Sequence, residues 1–276
     1  MELVITKIDF ENAVPAAREP KGRIFDVLTG AIYVELEQIE AEVLGDVGTQ
    51  AVEAGTDNTL VQTVKRLACV RAFMSEMRGL DLVLTATGFG VVSTQDTAPA
   101  SKQRVDALDG QLRRQERLLL GTLLDRLFRV EGWNQQPQRQ WQVQTLFFCL
   151  QQLEQWAGIS HPKPEDWDMN FPSVLAADAF LRKHIGNAYM DELIVKMTGH
   201  QLGVNDTPVV TLCQQYIGAC IAQNNRLRDE VYMRLINRLE ADLQFYPTYA
   251  DSEAYRLNHF KPYENHADDS AFHFVG

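Results

Sequence analysis

The residues best able to do chemistry in this sequence lie near its end, where histidines and aspartates come close together. His266, Asp268, Asp269 and His273 are of the residue types that bind Zn²⁺. Their spacing does not match an organised ligand pattern such as H-E-x-x-H, in which both histidines share one helix face. We therefore expect a solvated tail here, and we predict no metal site and no cofactor.

The cysteines and serines form no recognisable nucleophile pattern. The sequence contains no G-x-S-x-G motif, and no cysteine has a histidine placed by a known local signature. All four cysteines lie in apolar helical patterns without a C-x-x-C pair, which is typical of free buried thiols in a reducing compartment. These are Cys69, Cys149, Cys213 and Cys220. We predict that the protein is not an enzyme.

Two glycines flank an aromatic residue in the sequence T-G-F-G, at Gly88, Phe89 and Gly90. A phosphate-binding loop would need a lysine or a third glycine and a following helix, and none of these is present. Glycines between two β-prone runs instead predict a β-hairpin over residues 80–93. Phe89 at its tip either packs on its own domain or is offered to a partner, and the sequence leaves both alternatives open.

Hydrophobic residues recur at steps of three and four along most of the chain, which predicts a mainly α fold. A segment that is apolar on most sides, Trp141 to Trp156, predicts a buried connecting helix. Short strands are expected at both termini, and loops at 46–58 and 161–172. Other helices are expected at about 24–45, 59–77, 101–127, 186–198, 206–221 and 227–243.

The first and second halves of the chain show related sequence patterns. Gly30-Ala31-Ile32-Tyr33 resembles Gly186-Asn187-Ala188-Tyr189, and each lies in a helix that a glycine is expected to end. We predict two duplicated helical halves of about three helices each, with chance similarity between amphipathic helices as the alternative. The predicted boundaries are 1–133 for the first half with its hairpin insertion, 134–171 for a Gln-rich linker and the connecting helix, and 172–276 for the second half and an irregular tail.

Charge narrows the classes of partner. A formal net charge of −11 disfavours nucleic acid as the main ligand and disfavours anionic membranes. No apolar run approaches the ~20 residues that a membrane-spanning helix needs. Basic residues nevertheless concentrate in one stretch that includes Arg113, Arg114 and Arg117. They form either an ordinary solvated helix face or a charge-matched contact with a partner or a copy.

The run LDLVLTATGFGVVSTQDTAPASKQRVDAL (80–108) and the tail YENHADDSAFHFVG resemble an uncharacterised family of tailed phages and prophages of Bacteroides-type bacteria. The matching elements are Gly88–Val92, Ala98–Ser101, Arg104–Val105 and Phe272–Phe274. This resemblance implies a virion structural protein or a head–tail connector, and it implies no catalytic residues. A ring-forming subunit needs strand-capable edges that its neighbours complete, as the hairpin and the termini supply.

The leading hypothesis is thus a phage- or prophage-derived structural or adaptor protein, in the bacterial cytoplasm or the virion, that acts through self-assembly or partner docking. The candidate contact residues are Gly88, Phe89, Gly90, Val91, Val92, Arg113, Arg114 and Arg117. The alternative is a ligand-binding protein or enzyme with a pocket between the two halves. That pocket would be lined by aromatic residues of 133–171, namely Trp133, Trp141, Trp156, Trp167 and Phe171.

Overall fold

The computed structural model describes residues 3–18, 23–80, 82–85, 88–91 and 101–260, with the backbone alone for 82–85 and 88–91. The expected strand at 271–275 and the tail histidines and aspartates lie outside these residues. The described chain is mainly helical, which confirms the predicted fold class. None of its helices is long and apolar enough to cross a membrane. The duplication and the domain boundaries stay predictions.

A first helix group packs residues of the N-terminal part of the chain around one core. The helices are α1 (Lys7–Ala13), α2 (Arg23–Ile39), α3 (Gly45–Ala54), α4 (Asn58–Glu76) and α5 (Lys102–Leu127). Helices α1, α2 and α5 all pack on α4. The predicted stripe of α2 is confirmed, because Leu28, Ile32, Leu36 and Ile39 are all buried.

The strand expected at the N-terminus is wrong, because residues 7–13 form α1. Thr6 and Asp9 make a capping box: the Thr6 hydroxyl accepts from the Asp9 amide at 3.2 Å, and the Asp9 carboxylate accepts from the Thr6 amide at 2.9 Å. Lys65 Nζ lies 3.1 Å from the same carboxylate and ties α1 to α4. The cap and the burial of Phe10 outweigh the β-prone composition of this segment.

The loop expected after Gly45 is also wrong. A π-helical turn at Glu40–Leu44 follows α2, and the chain then continues as α3 to Ala54. Gly45 has a φ of +61° and caps the C-terminal end of the π-helical turn, and α3 starts directly at this bend. The actual end is at Gly55, whose φ of +65° places it in the left-handed region typical of a helix C-terminus.

The hairpin predicted over residues 80–93 is present as two antiparallel strands, β1 (Leu82–Thr85) and β2 (Gly88–Val91). Leu84 is paired with Phe89 and Thr85 with Gly88. Val92 lies outside the described residues.

A second helix group is built around α10, which packs on α7, α8 and α11. Gly218 of α10 lies against α7 so closely that an added Cβ would overlap the carbonyl oxygen of Trp156. The two groups meet where α5 contacts α7 and α8. The remaining helices are α6 (Pro137–Gln142), α7 (Leu150–Ala157), α8 (Pro164–Ile185), α9 (Asn187–Thr198), α10 (Asp206–Ile221), α11 (Asn225–Ala241), α12 (Pro247–Ala250) and α13 (Glu253–Asn258).

Two predictions near the middle of the chain are wrong. The expected helix from Trp141 to Trp156 is interrupted, since residues 143–149 are not helical and α7 begins only at Leu150. The expected loop at 161–172 is largely the start of α8, with Pro164 at the first helical position, where a missing amide costs nothing. The Asp166 carboxylate accepts from the Lys163 amide at 2.8 Å and helps to cap this end.

Candidate functional site

The Gln-rich segment between the helix groups is an ordered clasp. Its side-chain amides and one indole satisfy four consecutive carbonyl groups of the π-helical turn, groups that a helix C-terminus leaves without partners. We call Trp133, Gln138 and Gln142 the clasp. The pairs are Gln138 Nε2 to Ala41 (3.0 Å), Gln142 Nε2 to Glu42 (3.0 Å), and Trp133 Nε1 to Val43 (3.1 Å) and Leu44 (2.9 Å).

The same segment is also fastened to the second helix group. Asn134 Nδ2 donates to the carbonyl oxygen of Val195 at 3.2 Å, and the Thr198 hydroxyl donates to Asn134 Oδ1. Both partners lie in the last turn of α9, and Thr198 is fully buried. Residues 133–142 therefore hold the C-terminal ends of two helices, one in each group. The contacts of Gln138 and Gln142 also hold α6, the helix that carries Trp141.

An aromatic cleft of about 130 Å³ opens between α5, α6 and α8. Its floor includes Phe147 and Phe148, from the non-helical residues that precede α7. Phe147 stacks on Trp167 with ring centroids 6.2 Å apart, and Trp167 lies 5.8 Å from Phe171. We call this the aromatic cleft, and the residues used below to define it are Arg117, Leu120, Trp141, Phe148, Trp167 and Phe171.

The aromatic residues predicted to line a pocket between the halves divide into two sets. Trp141, Trp167 and Phe171 line the cleft. Trp133 is fully buried in the clasp instead, and the backbone of Trp156 packs against α10. Trp141 is 59% exposed at the cleft, which is unusual for the largest apolar side chain.

The size of the cleft limits what it holds. A cavity of about 150 Å³ binds a single benzene ring, whereas sites for drug-sized ligands occupy roughly 300–1,000 Å³. The cleft therefore accommodates one aromatic ring. Two other, more open grooves of about 540 and 460 Å³ border residues 128–135 and 139–144, and polar and apolar groups line them in nearly equal shares.

The titratable groups at the cleft are not arranged for nucleophilic chemistry. Burial raises the pKa of the Cys149 thiol to about 11, so this cysteine is protonated at neutral pH. Arg117 at the rim lies 3.4 Å from Asp168, in an ion pair that solvent reaches. The hydroxyl of Thr145 is satisfied locally, since it donates to the Phe147 carbonyl at 2.6 Å.

The three arginines predicted as contact residues lie on α5 and make contacts within the chain. Arg113 pairs with Asp109 one turn earlier, at 2.9 Å. Arg114 Nη1 donates to the Pro162 carbonyl at 3.0 Å, so it joins Arg117 in tying α5 to residues 162–168. Their contact with a partner stays a prediction, as does that of the hairpin residues.

The described ranges contain no group of three His, Cys, Asp or Glu side chains that could hold a metal ion. The four tail residues considered above, His266, Asp268, Asp269 and His273, lie beyond these ranges.

Comparison with known proteins finds a family of unknown function, DUF6712, whose model matches residues 24–143. The match runs from the start of α2 to just past α6 and covers less than half of the chain. It includes the clasp and the α5 side of the aromatic cleft but not the α8 side. No curated protein and no solved structure matches the chain.

Proposed function

We propose that this protein is a non-enzymatic structural or adaptor protein that docks a protein partner through the aromatic cleft. One observation carries the proposal: a cleft sized for a single ring has aromatic walls and a tryptophan that is 59% exposed. Tryptophan is enriched among the residues that dominate binding energy at protein interfaces, where anchors fill pockets of this kind. The favoured occupant is one aromatic side chain of a partner.

The geometry supports a fixed receptor for such an anchor. The clasp holds the α6 side of the cleft, and the contacts of Arg114 and Arg117 hold α5 against the start of α8. A pocket that is already formed loses little conformational entropy on binding. Burial of one aromatic side chain contributes about 1.5–3 kcal/mol, so the cleft anchors a wider contact and does not supply all of its affinity.

The setting that we propose for this partner is virion assembly, either at the head–tail connection or in a related structural role. The support is the resemblance of residues 80–108 to the phage and prophage family, together with the β-hairpin that this stretch contains. The hairpin residues Gly88–Val92 are then a second contact, with a partner or with a neighbouring copy, and Arg113 of α5 is a further contact residue.

A second candidate uses the same cleft for a small molecule. The observation that favours it is the position of the cleft between the two helix groups, where a ligand site was expected. A volume of about 130 Å³ admits a single-ring compound with Arg117 at its rim, and it is too small for a nucleotide or another large cofactor.

The test uses the products of the genes adjacent to this one. Each is co-expressed with the full chain, and complexes are quantified by affinity purification and isothermal titration calorimetry. Trp141→Ala should weaken a specific complex by tenfold or more, as truncating an anchor of about 1.4 kcal/mol or more does. Met233→Ala is the matched control, since Met233 is 55% exposed on α11 and does not line the cleft.

Portal, capsid or tail genes next to this gene, with a complex that Trp141→Ala weakens, would support the adaptor function. Adjacent genes for metabolic enzymes, or a complex indifferent to Trp141, would contradict it.

A further inference from the structure

The outward face of α8 carries no charge over three turns. Between Met169 and Phe180 the sequence contains one charged residue, Asp178, which is buried and bound to Arg182 at 2.6 Å. Met169 is 71% exposed and Phe180 39% exposed. The exposed residues of this face are Met169, Pro172, Ser173, Leu175, Ala176, Ala179 and Phe180. They cover about 16 Å of helix.

Charges of opposite sign lie at the two ends of this face. Glu165 is exposed at its start, next to Asp168, whose carboxylate is paired with Arg117 of α5, and Lys183 is exposed at its end. Acidic residues at the N-terminal end and a basic residue at the C-terminal end also suit the dipole of α8. The pattern is self-complementary: when two such helices lie antiparallel, the acidic end of each meets the basic end of the other.

We propose that α8 pairs with α8 of a second copy of this chain, antiparallel and about a two-fold axis at residue 174. This register places Glu165 opposite Lys183 of the partner subunit, and Met169 opposite Ala179 of the partner subunit. Pro172 then faces Ala176 of the partner subunit at the centre. Met169 and Pro172 are thereby set against alanines, which lets the helices approach closely at the centre. Phe180 lies opposite Asp168 of the partner subunit. A two-fold axis makes the same patch serve both copies.

Charge is also the argument for a copy as the occupant. Two chains of net charge −11 repel each other, so association needs a surface that is locally neutral and matched in sign. The face of α8 meets both conditions, because its centre is uncharged and its two ends complement each other in the antiparallel arrangement. An unrelated acidic or basic partner would match only one end.

The contact is small, and this sets its strength. The face from Glu165 to Lys183 is about 27 Å long and roughly 10 Å wide, or on the order of 300 Å² on each copy. Stable complexes bury about 800 Å² per partner, so we expect a weak dimer that dissociates on dilution. The inference extends the proposed adaptor function by naming a copy of the chain as one partner. It does not use the aromatic cleft, which lies on the side of α8 that carries Trp167 and Phe171.

Sedimentation equilibrium of the full chain over a wide concentration range tests the dimer, and a charge exchange tests the register. Glu165→Lys and Lys183→Glu should each raise the dissociation constant about tenfold, since each replaces two symmetric ion pairs by two repulsions. The double variant Glu165→Lys/Lys183→Glu should restore the original constant. Ala176→Glu should abolish the dimer by placing two carboxylates across the axis, and Met233→Glu on α11 is its control.

All these positions are exposed, so the circular dichroism spectrum should stay that of the folded chain. Glu165→Lys and Lys183→Glu oppose the dipole of α8 and should lower the thermal midpoint slightly, whereas Ala176→Glu and Met233→Glu should leave it nearly unchanged. A chain that is monomeric at every concentration would overturn the proposal, as would a dimer that Ala176→Glu leaves intact. A double variant whose dimer is weaker than the dimers of both single variants would overturn the register. Trp141→Ala should leave the dimer unchanged, so a failure here and a failure of cleft docking are distinguishable.

Discussion

Replacement of Trp133 by phenylalanine tests whether the clasp holds the π-helical turn. The indole is fully buried and its Nε1 donates to two carbonyl oxygens, at 2.9 and 3.1 Å. Trp133→Phe keeps an aromatic ring but removes the donor that both carbonyls share. Two buried acceptors then lose their protein partner, and each such loss costs about 1–3 kcal/mol.

The smaller ring adds a second cost, because it leaves a void beside α3 and Phe128, whose ring centroid lies 5.8 Å from that of Trp133. A cavity of some tens of Å³ costs roughly 24 cal/mol per Å³. Because the two carbonyl groups share one donor, we take the lower ends of these ranges, which sum to a loss of about 3 kcal/mol in the free energy of unfolding. Urea denaturation followed by far-ultraviolet circular dichroism measures it without relying on tryptophan fluorescence.

Trp141→Phe is the matched control, since Trp141 lies in the same segment and is 59% exposed. It should change the free energy of unfolding by less than about 0.5 kcal/mol. Equal effects of the two substitutions, or a loss below about 1 kcal/mol for Trp133→Phe, would refute the clasp.

Three further predictions concern packing and titration. Gly218→Ala should lower the free energy of unfolding by about 3 kcal/mol, because the added Cβ would overlap a backbone carbonyl of α7. Gly110→Ala on α5 is the control: its added Cβ meets no other atom, so the change should be neutral or slightly stabilising. Urea denaturation of the two variants compares them. Cys149, whose pKa burial raises to about 11, should react with Ellman's reagent at neutral pH far more slowly in the folded chain than in urea, and a rapid native reaction would show that the thiol is exposed or ionised. Burial and the neighbouring lysine lower the pKa of His184 below 6.5 in the folded state, so its contribution to stability is present above that pH and is lost as the pH falls through the lowered value. His184→Gln should flatten this part of the pH profile of the urea midpoint, and an unchanged profile would contradict the assignment.

Local sequence patterns predict the long helices of this protein, because the spacing of apolar residues that favours each helix lies within the helix itself. The apolar stripes of α4, α5 and α11 match the 3.6-residue period, and α10 covers residues 206–221 as expected. Where the predictions are wrong, a short-range feature of the sequence favours the structure that is observed. The Thr6–Asp9 capping box favours a helix over a strand, and Pro164 followed by two acidic residues favours the start of α8 over a loop.

The aromatic cleft and the clasp depend on contacts that sequence patterns do not encode. Trp133 and the carbonyl of Val43 are 90 residues apart in the chain, and nothing local indicates that they meet. The glutamines of 134–144 looked like a linker because amide side chains are common in solvated segments. Their side-chain amides can instead donate hydrogen bonds to the carbonyl groups that lack partners at the end of a helix. Aromatic enrichment in 133–171 did point to the cleft, although only part of that set lines it.

The most direct test of the docking cleft is whether it binds a single aromatic side chain. Saturation-transfer NMR with N-acetyl-phenylalaninamide as the probe, and N-acetyl-alaninamide as its control, measures this on the full chain. We predict transfer to the phenyl protons of the first probe alone. Leu120→Trp, which fills the cleft from α5, should abolish this transfer while leaving the circular dichroism unchanged. Transfer that persists in Leu120→Trp, or none to the phenyl ring in the natural chain, would contradict the proposed docking cleft.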